Sequence, residues 1–479
     1  KNGRLYKVAP DGSTDLIEIS TGAVTQCNND HVISADGKWI ALSSGDPNEK
    51  GWNSYVYTVP FEGGDPKKIT PLGPSYLHGI SPDGKKICWV SMERDGYEAD
   101  KQRLMVASVT WNGGSMPVIG DIKDITAGFK YNVSGPAWTA DSKGIYFASL
   151  AEGLQGMFEA VCDGGEWTIE RLTGEDMWYD FGSPFHVAES EDGSRTLYTT
   201  WCSMDFPTEL VAVSLNGSEA SYTQITHESQ LEDHSTEARY VKTVDGKDML
   251  TWVLYPPQFD PAKTYPAITI CLGGPQGTLS QGWSYRWNYR LMADQGYIVV
   301  LPNRRGTTAF GQEWTEQISG DYPGLNMQDY LAAAKEVKAE PFVGKMAACG
   351  ASYGGYSVYY LCGTHGDVFD AFIAHAGIFN EEHMYMTTEE MWFPNFDNGG
   401  LHETVIDPRV GTPEGPVGPA GDGVTFGGIK QGGSPWSNDP KAVRHYALSP
   451  HKLVTNWHTP LMVIHGGMDY RVPVDEGMA

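Results

Sequence analysis

A serine stands among glycines at Gly350–Gly355, directly after an apolar run that ends at Cys349. A strand, a glycine-flanked serine and a helix in immediate succession are the sequence pattern of a nucleophile elbow. The turn is tight and places the serine at the N-terminus of the helix, whose N–H groups favour negative charge. The pattern predicts Ser352 as a nucleophile and the backbone N–H of Tyr353 as one oxyanion donor. A spectator serine in a glycine-rich turn is the alternative, and it explains less because strand, turn and helix all agree.

A carboxylate follows a later apolar strand, at His465-Gly-Gly-Met-Asp469. An acid at the carboxyl edge of a parallel sheet can orient the histidine of a Ser-His-Asp triad, so Asp469 is the candidate. An aspartate that only caps the following turn is the alternative. In this order of residues the histidine comes after the acid, and all thirteen histidines precede Asp469. We therefore expect the catalytic His beyond Ala479.

Other motifs accompany the elbow and the candidate acid. They are Gly273-Gly274-Pro275, Pro302-Asn303-Arg304-Arg305-Gly306, Gly320-Asp321-Tyr322 and Asp469-Tyr470-Arg471-Val472-Pro473. Together with the elbow they resemble the prolyl oligopeptidase family of serine peptidases (family S9), and within it the branch of acylaminoacyl-peptidases and bacterial dipeptidyl-peptidase 5. The resemblance is close over residues 235–380 and 445–479. Before residue 235 it is limited to the general type of the repeats.

The resemblance implies a role for each matching residue of the reaction centre. Ser352 is the nucleophile, Asp469 is the triad acid, and the histidine is expected about thirty residues beyond Asp469. Gly273 would supply the second oxyanion N–H beside that of Tyr353. Leu272 stands where several relatives carry Tyr or His, and leucine has no side-chain donor. The second oxyanion contact would therefore have to come from the backbone.

The resemblance also implies residues that contact the substrate. Arg471 falls where relatives hold a backbone carbonyl of the substrate. Tyr353, Val472 and Phe379 fall where relatives line the pocket for the residue before the scissile bond. For Arg471 the alternative is a solvated turn charge that pairs with a carboxylate.

The first 235 residues alternate short β-rich runs with Gly, Asp and Pro turns, which predicts an all-β region. One turn phrase recurs at Asp36, Asp83, Asp141 and Asp192, which are 47, 58 and 51 residues apart. Periods of about 40–50 residues are typical of propeller blades, and Asp-Gly is a common hairpin turn. We predict a β-propeller over residues 1–235, opened by a hairpin at Arg4–Ser20 and incomplete at its N-terminus. Calcium binding by these aspartates is the alternative, but the further ligands of an EF-hand-type loop are lacking.

After a polar linker at His227–Glu237, strands alternate with helices. The predicted strands are Arg239–Val244, Met249–Tyr255, Ala267–Leu272, Tyr297–Leu301, Met346–Cys349, Ala371–His375 and Leu461–His465, and the predicted helices are Asn326–Ala339 and one from Gly354. This alternation indicates a mainly parallel sheet covered on both faces. We predict an α/β-hydrolase domain over residues 236–479, incomplete at its C-terminus. A Pro/Gly-rich insertion at 407–438 is predicted to be irregular, either a lid or a plain surface loop.

The composition restricts the partners of the chain. Its formal net charge of −26 disfavours nucleic acid and anionic lipid surfaces, and no apolar run is long enough for a membrane helix. The seven cysteines are widely spaced and predict core thiols, not a zinc site or a disulfide framework. We expect no cofactor and no metal. A homodimer stays open as an assembly, and the resemblance favours the periplasm or secretion, with the cytoplasm as the alternative.

These observations predict a serine peptidase that hydrolyses short peptides through an acyl-enzyme. Release of dipeptides from peptide N-termini is the reading we favour, with an acylaminoacyl-peptidase or an oligopeptidase as the alternative. Two other classes stay open: a carboxylesterase, which would share elbow and triad, and a catalytically inactive binding homologue, suggested by the absent histidine and by Leu272.

Overall fold

The computed structural model describes residues 3–9, 11, 13–34, 37–45, 54–70, 75–94, 97–112, 115–174, 178–182, 185–216, 220–229, 235–390, 394, 397–398, 425–426, 429–430 and 434–479. Two compact units divide these residues. The first takes the described residues up to Leu150 together with Gly156–Gly174. The second takes Ala151–Gln155 and the described residues from 178 onward.

The first unit is built from short strands. They are β1 (Leu5–Lys7), β2 (Ile17–Ile19), β3 (Cys27–Ile33), β4 (Trp39–Gly45), β5 (Ser54–Pro60), β6 (Lys67–Lys68), β7 (Ser75–Ile80), β8 (Lys86–Ser91), β9 (Arg103–Asn112), β10 (Ser115–Asp124), β11 (Ser134–Trp138), β12 (Gly144–Ala151), β13 (Leu154–Asp163) and β14 (Glu166–Arg171). β1 and β2 form the predicted hairpin, and the others form three four-stranded sheets in chain order: β3–β6, β7–β10 and β11–β14.

The recurring aspartates that the structure describes occupy hairpin turns, as predicted. In each, Oδ1 accepts the backbone N–H two residues later: Asp83 from Lys85 at 3.0 Å, Asp141 from Lys143 at 2.9 Å and Asp192 from Ser194 at 3.0 Å. The residue after each aspartate has a positive φ: Gly84 at 72°, Ser142 at 63° and Gly193 at 80°. A left-handed residue fits the twist of a hairpin, which is why glycine follows two of the three aspartates. Asp36 lies outside the described residues.

Adjacent sheets of the first unit pack against each other through apolar residues. One buried cluster joins Ala41 and Val56 of the second and third strands of β3–β6 to Leu77, Ile87 and Trp89 of the next sheet. The backbone N–H of Leu77 also donates to the Ser43 hydroxyl at 2.7 Å. Strands β4, β5 and β8 are buried almost throughout, so apolar contacts of this kind join one sheet to the next.

The second unit contains two larger sheets. Its strands are β15 (Asp180–Phe181), β16 (His186–Glu189), β17 (Arg195–Cys202), β18 (Glu209–Ser214), β19 (Ser221–Gln224), β20 (Thr236–Lys242), β21 (Asp248–Leu254), β22 (Tyr265–Cys271), β23 (Ile298–Pro302), β24 (Val343–Ser352), β25 (Ala371–Gly377), β26 (Thr425–Phe426), β27 (Ile429–Lys430) and β28 (Leu461–Ile464). Its helices are α1 (Tyr289–Asp294), α2 (Gln312–Glu316), α3 (Leu325–Lys338), α4 (Tyr353–Cys362), α5 (Glu381–Thr387), α6 (Pro440–Ala447) and α7 (Asp475–Met478).

A seven-stranded sheet organises this unit in the order β20-β21-β23-β22-β24-β25-β28. The first two neighbour pairs are antiparallel and the other four are parallel, so the predicted mainly parallel sheet is confirmed. Strands β21 and β23 are buried almost throughout, because apolar layers cover both faces. Residues of α3 and α4 belong to one layer, and Ala293 of α1 belongs to the other.

The five-stranded sheet β15–β19 is fastened to residues 280–290 within this unit. The Ser280 hydroxyl donates to Asp180 at 2.5 Å, and the Met204 N–H donates to the side-chain oxygen of Gln281 at 3.3 Å. Arg290 donates to the Asp205 carbonyl at 2.6 Å. These bonds fix the segment that leads into α1.

The described part of the chain has no helix that is long and apolar enough to cross a membrane. Within the same residues, no three His, Cys, Asp or Glu side chains gather so that they could hold a metal ion. All seven cysteines are free thiols, and four of them are buried. The middle of the insertion, 407–423, lies outside the described residues.

Candidate active site

Ser352 is the last residue of β24 and directly precedes α4. Its φ of 57° and ψ of −124° place a residue with a side chain in a sparsely populated backbone region. Such strain persists only where the surrounding structure holds it, and it is frequent at active sites. The backbone of Ser352 therefore has the strained strand-to-helix turn of a nucleophile elbow.

Two glycines make this turn sterically possible. A Cβ added at Gly350 would lie 2.5 Å from the carbonyl oxygen of Gly354, and one at Gly354 would overlap the carbonyl oxygen of Cys271. Real Cβ atoms do not approach backbone oxygen so closely. The helix can thus begin immediately above β22 only because both positions lack a side chain.

Two residues that carry the predicted oxyanion donors lie beside the serine. Tyr353 is the first residue of α4, where helix N–H groups have no partner within the helix. Gly273 approaches from the loop after β22, since a Cβ added there would lie 3.8 Å from the Cβ of Ser352. The sequence analysis names the N–H groups of Tyr353 and Gly273 as oxyanion donors. Both residues lie next to Ser352, and their role as donors stays a prediction.

The peptide before Gly273 is held from both sides. The N–H of Leu272 donates to the Tyr330 hydroxyl at 2.9 Å, and its carbonyl oxygen accepts from Arg304 at 3.1 Å. Its N–H is therefore already engaged, and the leucine side chain offers no donor. Gly273 is the next residue of this loop and lies close to Ser352.

A cavity of about 350 Å³ opens at Ser352. Apolar side chains form most of its wall, including Ile270, Leu272, Leu279 and Trp287. The polar side chains around it are Thr278, Ser280, Ser284 and Arg286. Its size and lining suit an apolar side chain of a small substrate, since ligand sites are mainly apolar with a few polar groups.

The wall of this cavity is rigidly supported. The N–H of Leu279 donates to Asn303 at 3.0 Å, and its carbonyl accepts from the Trp252 indole at 3.0 Å. Ser280 is bonded to Asp180 of β15, as described above. The sequence analysis did not name these wall residues. The run Trp283-Ser-Tyr-Arg-Trp287-Asn-Tyr289 was the available signal, because aromatic residues that alternate with polar ones are common around binding sites.

Asp469 follows β28 in a tight turn. Its Oδ1 accepts the backbone N–H groups of Arg471 at 3.1 Å and Val472 at 3.0 Å. The carboxylate therefore caps this turn, the simpler of the two roles predicted for it, and a triad role would come in addition. Asp469 lines a separate open depression with Glu389 and Arg471. Among the residues that the structure describes, no hydrogen bond or ion pair joins Asp469 to Ser352.

The other predicted substrate residues differ in exposure. The Arg471 guanidinium is half-exposed and pairs with Glu389 at 3.0 Å and Glu390 at 2.9 Å. Val472 is buried. Phe379 packs its ring against Tyr359, with ring centroids 5.6 Å apart.

The side chain of Tyr353 lies inside the protein. It is 1% exposed, accepts a hydrogen bond from Asn326 and donates to the Tyr322 carbonyl at 3.1 Å. Burial raises the pKa of its hydroxyl well above the usual value. Tyr353 is therefore held firmly at the start of α4, directly after Ser352.

The histidines of the described residues make other contacts. His465 Nε2 donates to the Val472 carbonyl at 2.8 Å, and His383 contacts Glu476 at 2.5 Å. His445 is buried in α6 and lies 3.6 Å from Glu381. Within the described ranges no histidine hydrogen-bonds the Ser352 hydroxyl, and the position of the catalytic histidine stays a prediction.

A mainly parallel sheet with a strained serine between a strand and a helix is the arrangement of the α/β-hydrolase fold. An all-β region of antiparallel sheets precedes it in the chain. The class of protein is thus fixed by fold and elbow together.

Comparisons with known proteins identify the family. Residues 283–404 match the sequence profile described as the prolyl oligopeptidase family. Dipeptidyl-peptidase 5 of Porphyromonas gingivalis is 41% identical over 459 residues, covering 93% of this chain and 60% of the relative. Dipeptidyl-peptidase 5 of Porphyromonas endodontalis is 41% identical over 462 residues, covering 94% and 60%. The chain belongs to the prolyl oligopeptidase family, and it spans about three fifths of the length of these curated relatives.

Solved structures with a similar fold include acylaminoacyl peptidase of Pyrococcus horikoshii, with a TM-score of 0.69 and 18% identity. That match covers 99% of this chain and 66% of the solved one. Dipeptidyl peptidase 4 of Porphyromonas gingivalis has a TM-score of 0.60 and 15% identity, covering 100% and 74%. At these identities the likeness concerns the fold, which is the α/β-hydrolase type with an N-terminal β region.

Proposed function

We propose that this chain carries the nucleophile of a serine peptidase that releases dipeptides from the N-termini of short peptides. The observation that carries the proposal is the conformation of Ser352, strained at φ 57° and neighboured by Tyr353 and Gly273. A serine held in this way has a defined use in acyl transfer. The 41% identity to two dipeptidyl-peptidase 5 enzymes supports peptide hydrolysis over ester hydrolysis.

The chemistry follows from the positions of these groups. The Ser352 oxygen attacks the substrate carbonyl while a histidine takes its proton, and the carbonyl oxygen becomes negative. The N–H groups of Tyr353 and Gly273 bind that oxyanion. The histidine then returns the proton to the leaving amine, which departs and leaves an acyl-enzyme. Water repeats the sequence and frees the acyl product with Ser352 restored.

Two further residues complete the proposed centre. Asp469 would orient the histidine, which we place beyond Ala479, and Arg471 would hold a backbone carbonyl of the substrate. Arg471 is suited to this because its guanidinium is half-exposed on the turn that Asp469 caps. Val472, Phe379 and the cavity at Ser352 would receive substrate side chains.

The organisation of the whole protein is also a proposal. We propose that the antiparallel sheets are blades of a β-propeller over residues 1–235 and that residues 236–479 form the α/β-hydrolase domain. The four turn repeats and the four-strand sheet order support this division. Scattering data on the full-length protein, fitted to propellers of different blade number, test it.

We further propose a periplasmic or secreted location and a homodimer as the assembly. Fractionation of the source cells tests the location, and mass photometry of the full-length protein tests the assembly. A cytoplasmic fraction or a monomer would contradict the respective proposal.

The decisive experiment labels the full-length protein with a fluorophosphonate probe, which modifies activated serines. Wild type should react, Ser352→Ala should not, and Ser194→Ala, a change in the β16–β17 turn, should react as wild type does. Dipeptidyl, N-acetyl-aminoacyl and simple ester substrates are then compared by kcat/KM. Turnover of esters with failure of every peptide amide would favour a carboxylesterase, and an unlabelled wild type would favour an inactive homologue.

A further inference from the structure

Arg304 is a fully buried cation near the reaction centre, with no exposed surface. Its guanidinium makes three hydrogen bonds, all to uncharged groups. Nε donates to the Tyr330 hydroxyl at 3.0 Å, Nη1 to the Arg305 carbonyl at 2.8 Å and Nη2 to the Leu272 carbonyl at 3.1 Å. Arginine stays protonated in proteins, so a positive charge is buried here.

The nearby carboxylates contact the neighbouring arginine, Arg305, instead. Arg305 pairs with Asp245, lies 3.7 Å from Asp329 and also donates its backbone N–H to Asp329 at 3.0 Å. Among the described residues, no carboxylate forms an ion pair with Arg304. A buried charge without an opposite charge is costly, which calls for a reason why it stands here.

Arg304 contacts both segments that supply N–H groups beside Ser352. Through the Leu272 carbonyl it holds the peptide that leads into Gly273, while the Tyr330 hydroxyl holds the N–H of the same residue. Its guanidinium also lies 5.3 Å from the ring centroid of Tyr353 and 5.7 Å from that of Tyr330. Arg304 and Tyr330 thus form one clamp on the loop after β22 and on the start of α4.

We propose that Arg304 is a positioning residue of the oxyanion hole, acting with Tyr330 to hold Gly273 and Tyr353 and to keep a positive charge near the developing oxyanion. The inference rests on the proposed function and names how this chain builds that site. The charge is uncompensated in the resting protein and gains an anionic counterpart when the tetrahedral intermediate forms. Preorganised charge of this kind stabilises the transition state more than the bound substrate.

The kinetic test uses the full-length protein with Arg304→Met, Arg304→Lys and Tyr330→Phe. Arg304→Met should lower kcat roughly 10- to 100-fold with KM within a few-fold of wild type, because the lost contacts act on the intermediate. Arg304→Lys should recover part of kcat by restoring the charge. A peptide boronic acid, which forms a tetrahedral anion on the serine, should lose affinity in proportion to kcat/KM across the series.

Tyr356→Phe is the matched control. Tyr356 is as buried as Tyr330, and its hydroxyl has no hydrogen-bond partner among the described residues. Removing that hydroxyl should leave kcat and the boronic acid affinity unchanged, whereas Tyr330→Phe should lower both about tenfold. Equal losses in the two variants, or boronic acid binding that does not follow kcat/KM, would overturn the proposal.

Amide hydrogen exchange gives a readout that needs no activity. Exchange of the segment from Cys271 to Gly277 should accelerate in Arg304→Met and in Tyr330→Phe. In the same two variants β23 should exchange as in wild type, and in Tyr356→Phe both segments should do so. Unchanged exchange of this segment in both variants overturns the clamp, and Tyr330→Phe decides the matter if Arg304→Met does not fold. A wild type that neither labels nor cleaves peptides instead refutes the proposed function, and the exchange data still decide whether Arg304 holds the loop.

Discussion

Asp469 caps a turn, and its proposed role as triad acid would use the same carboxylate. Its Oδ1 caps the turn that carries Arg471 and Val472, which fixes the carboxylate in space. A fixed carboxylate is also what a triad requires of its acid, because the histidine must be held in one tautomer and orientation. The turn bonds therefore do not decide between the two roles, and a variant that keeps them can.

Asp469→Asn is such a variant, since asparagine retains an Oδ1 that accepts the same two N–H groups. We expect kcat to fall roughly 10³- to 10⁴-fold, because an amide can stabilise the wrong histidine tautomer. The thermal unfolding midpoint should stay near that of wild type. A variant with unchanged kcat on a dipeptidyl substrate would leave Asp469 as a turn cap alone.

Asp329 makes the stability of the second unit depend on pH. Burial raises the pKa of its carboxyl to about 6, from an ordinary value of 3.8. The folded state therefore binds this proton more tightly than the unfolded state does. The contribution is fully present below about pH 4 and is lost as the pH rises through about 6.

We predict that the difference in the free energy of unfolding between Asp329→Asn and wild type shifts in favour of the variant by up to about 3 kcal/mol from pH 4 to pH 7. Urea unfolding at several pH values measures this difference. Asp370→Asn is a control of opposite sign, because the N–H of Met346 and the ammonium of Lys338 lower the pKa of Asp370. Its deficit should stay nearly constant from pH 4 to pH 7 and shrink only as the pH falls below about 4. Parallel curves for the two variants between pH 4 and pH 7 would contradict the assignment.

Some residue roles could be predicted from sequence and others could not. The strained turn at Ser352 was predictable because the glycines at 350 and 354 allow the strand to pass directly into the helix, while its role as nucleophile stays a prediction. The different surroundings of Arg304 and Arg305 were not, since adjacent arginines look alike until Asp245 and Asp329 are placed in space. A local steric constraint can be predicted from the sequence, whereas the choice among ion-pair partners that are distant in sequence cannot.

At the scale of elements, every strand and helix predicted for the parallel sheet is present. Helix α3 runs over Leu325–Lys338 against a prediction of Asn326–Ala339, and β23 over Ile298–Pro302 against Tyr297–Leu301. The prediction succeeded because the strands are apolar runs and the helix has a periodic apolar face. β24 is longer than predicted, reaching Ser352, because Gly350–Ser352 continue the pairing with β25.

The contact of α4 with β22 gives a prediction at this scale. Gly354→Ala places a methyl group against the Cys271 carbonyl, and backbone oxygen cannot move aside as a flexible side chain can. We expect a loss of about 3 kcal/mol or more in the free energy of unfolding, at the upper end for an overpacked site. Chemical denaturation measures it. Gly128→Ala, where a Cβ meets nothing within 4 Å, is the matched control and should stay near wild type.

The two compact units of the described residues have a different border from the one that the alternation of strands, turns and helices in the sequence suggests. The sheet β15–β19 shares the repeating turn of the earlier sheets, yet it belongs to the same compact unit as the parallel sheet. Bonds such as Ser280 to Asp180 tie it there across 100 residues of sequence. Repeats reveal relatedness between segments, but sequence alone does not reveal such distant bonds. The domain boundary near residue 235 remains a prediction.

This division predicts the order of unfolding. Amides of β17 and β18 should lose hydrogen-exchange protection in the same denaturant transition as β21–β23, because compact units open cooperatively. Strands β8 and β9, in the first unit, serve as the reference. Pulse-labelled exchange along a urea series measures the transitions, and opening of β17 together with β8 would contradict the prediction.

The turn after Asp141 has a consequence for how the repeats can be exchanged. Ser142 occupies the left-handed position that Gly84 and Gly193 fill in the sister turns, and its hydroxyl accepts the Asp83 N–H at 3.0 Å while its carbonyl accepts from Lys86 at 2.8 Å. Ser142 thus makes two hydrogen bonds to the preceding sheet while it holds a backbone conformation that glycine would adopt more easily. The turn of the third sheet is therefore specific for the second sheet. If the third sheet were moved elsewhere in a shuffled or redesigned array, Ser142 would keep its strained backbone conformation and lose both hydrogen bonds.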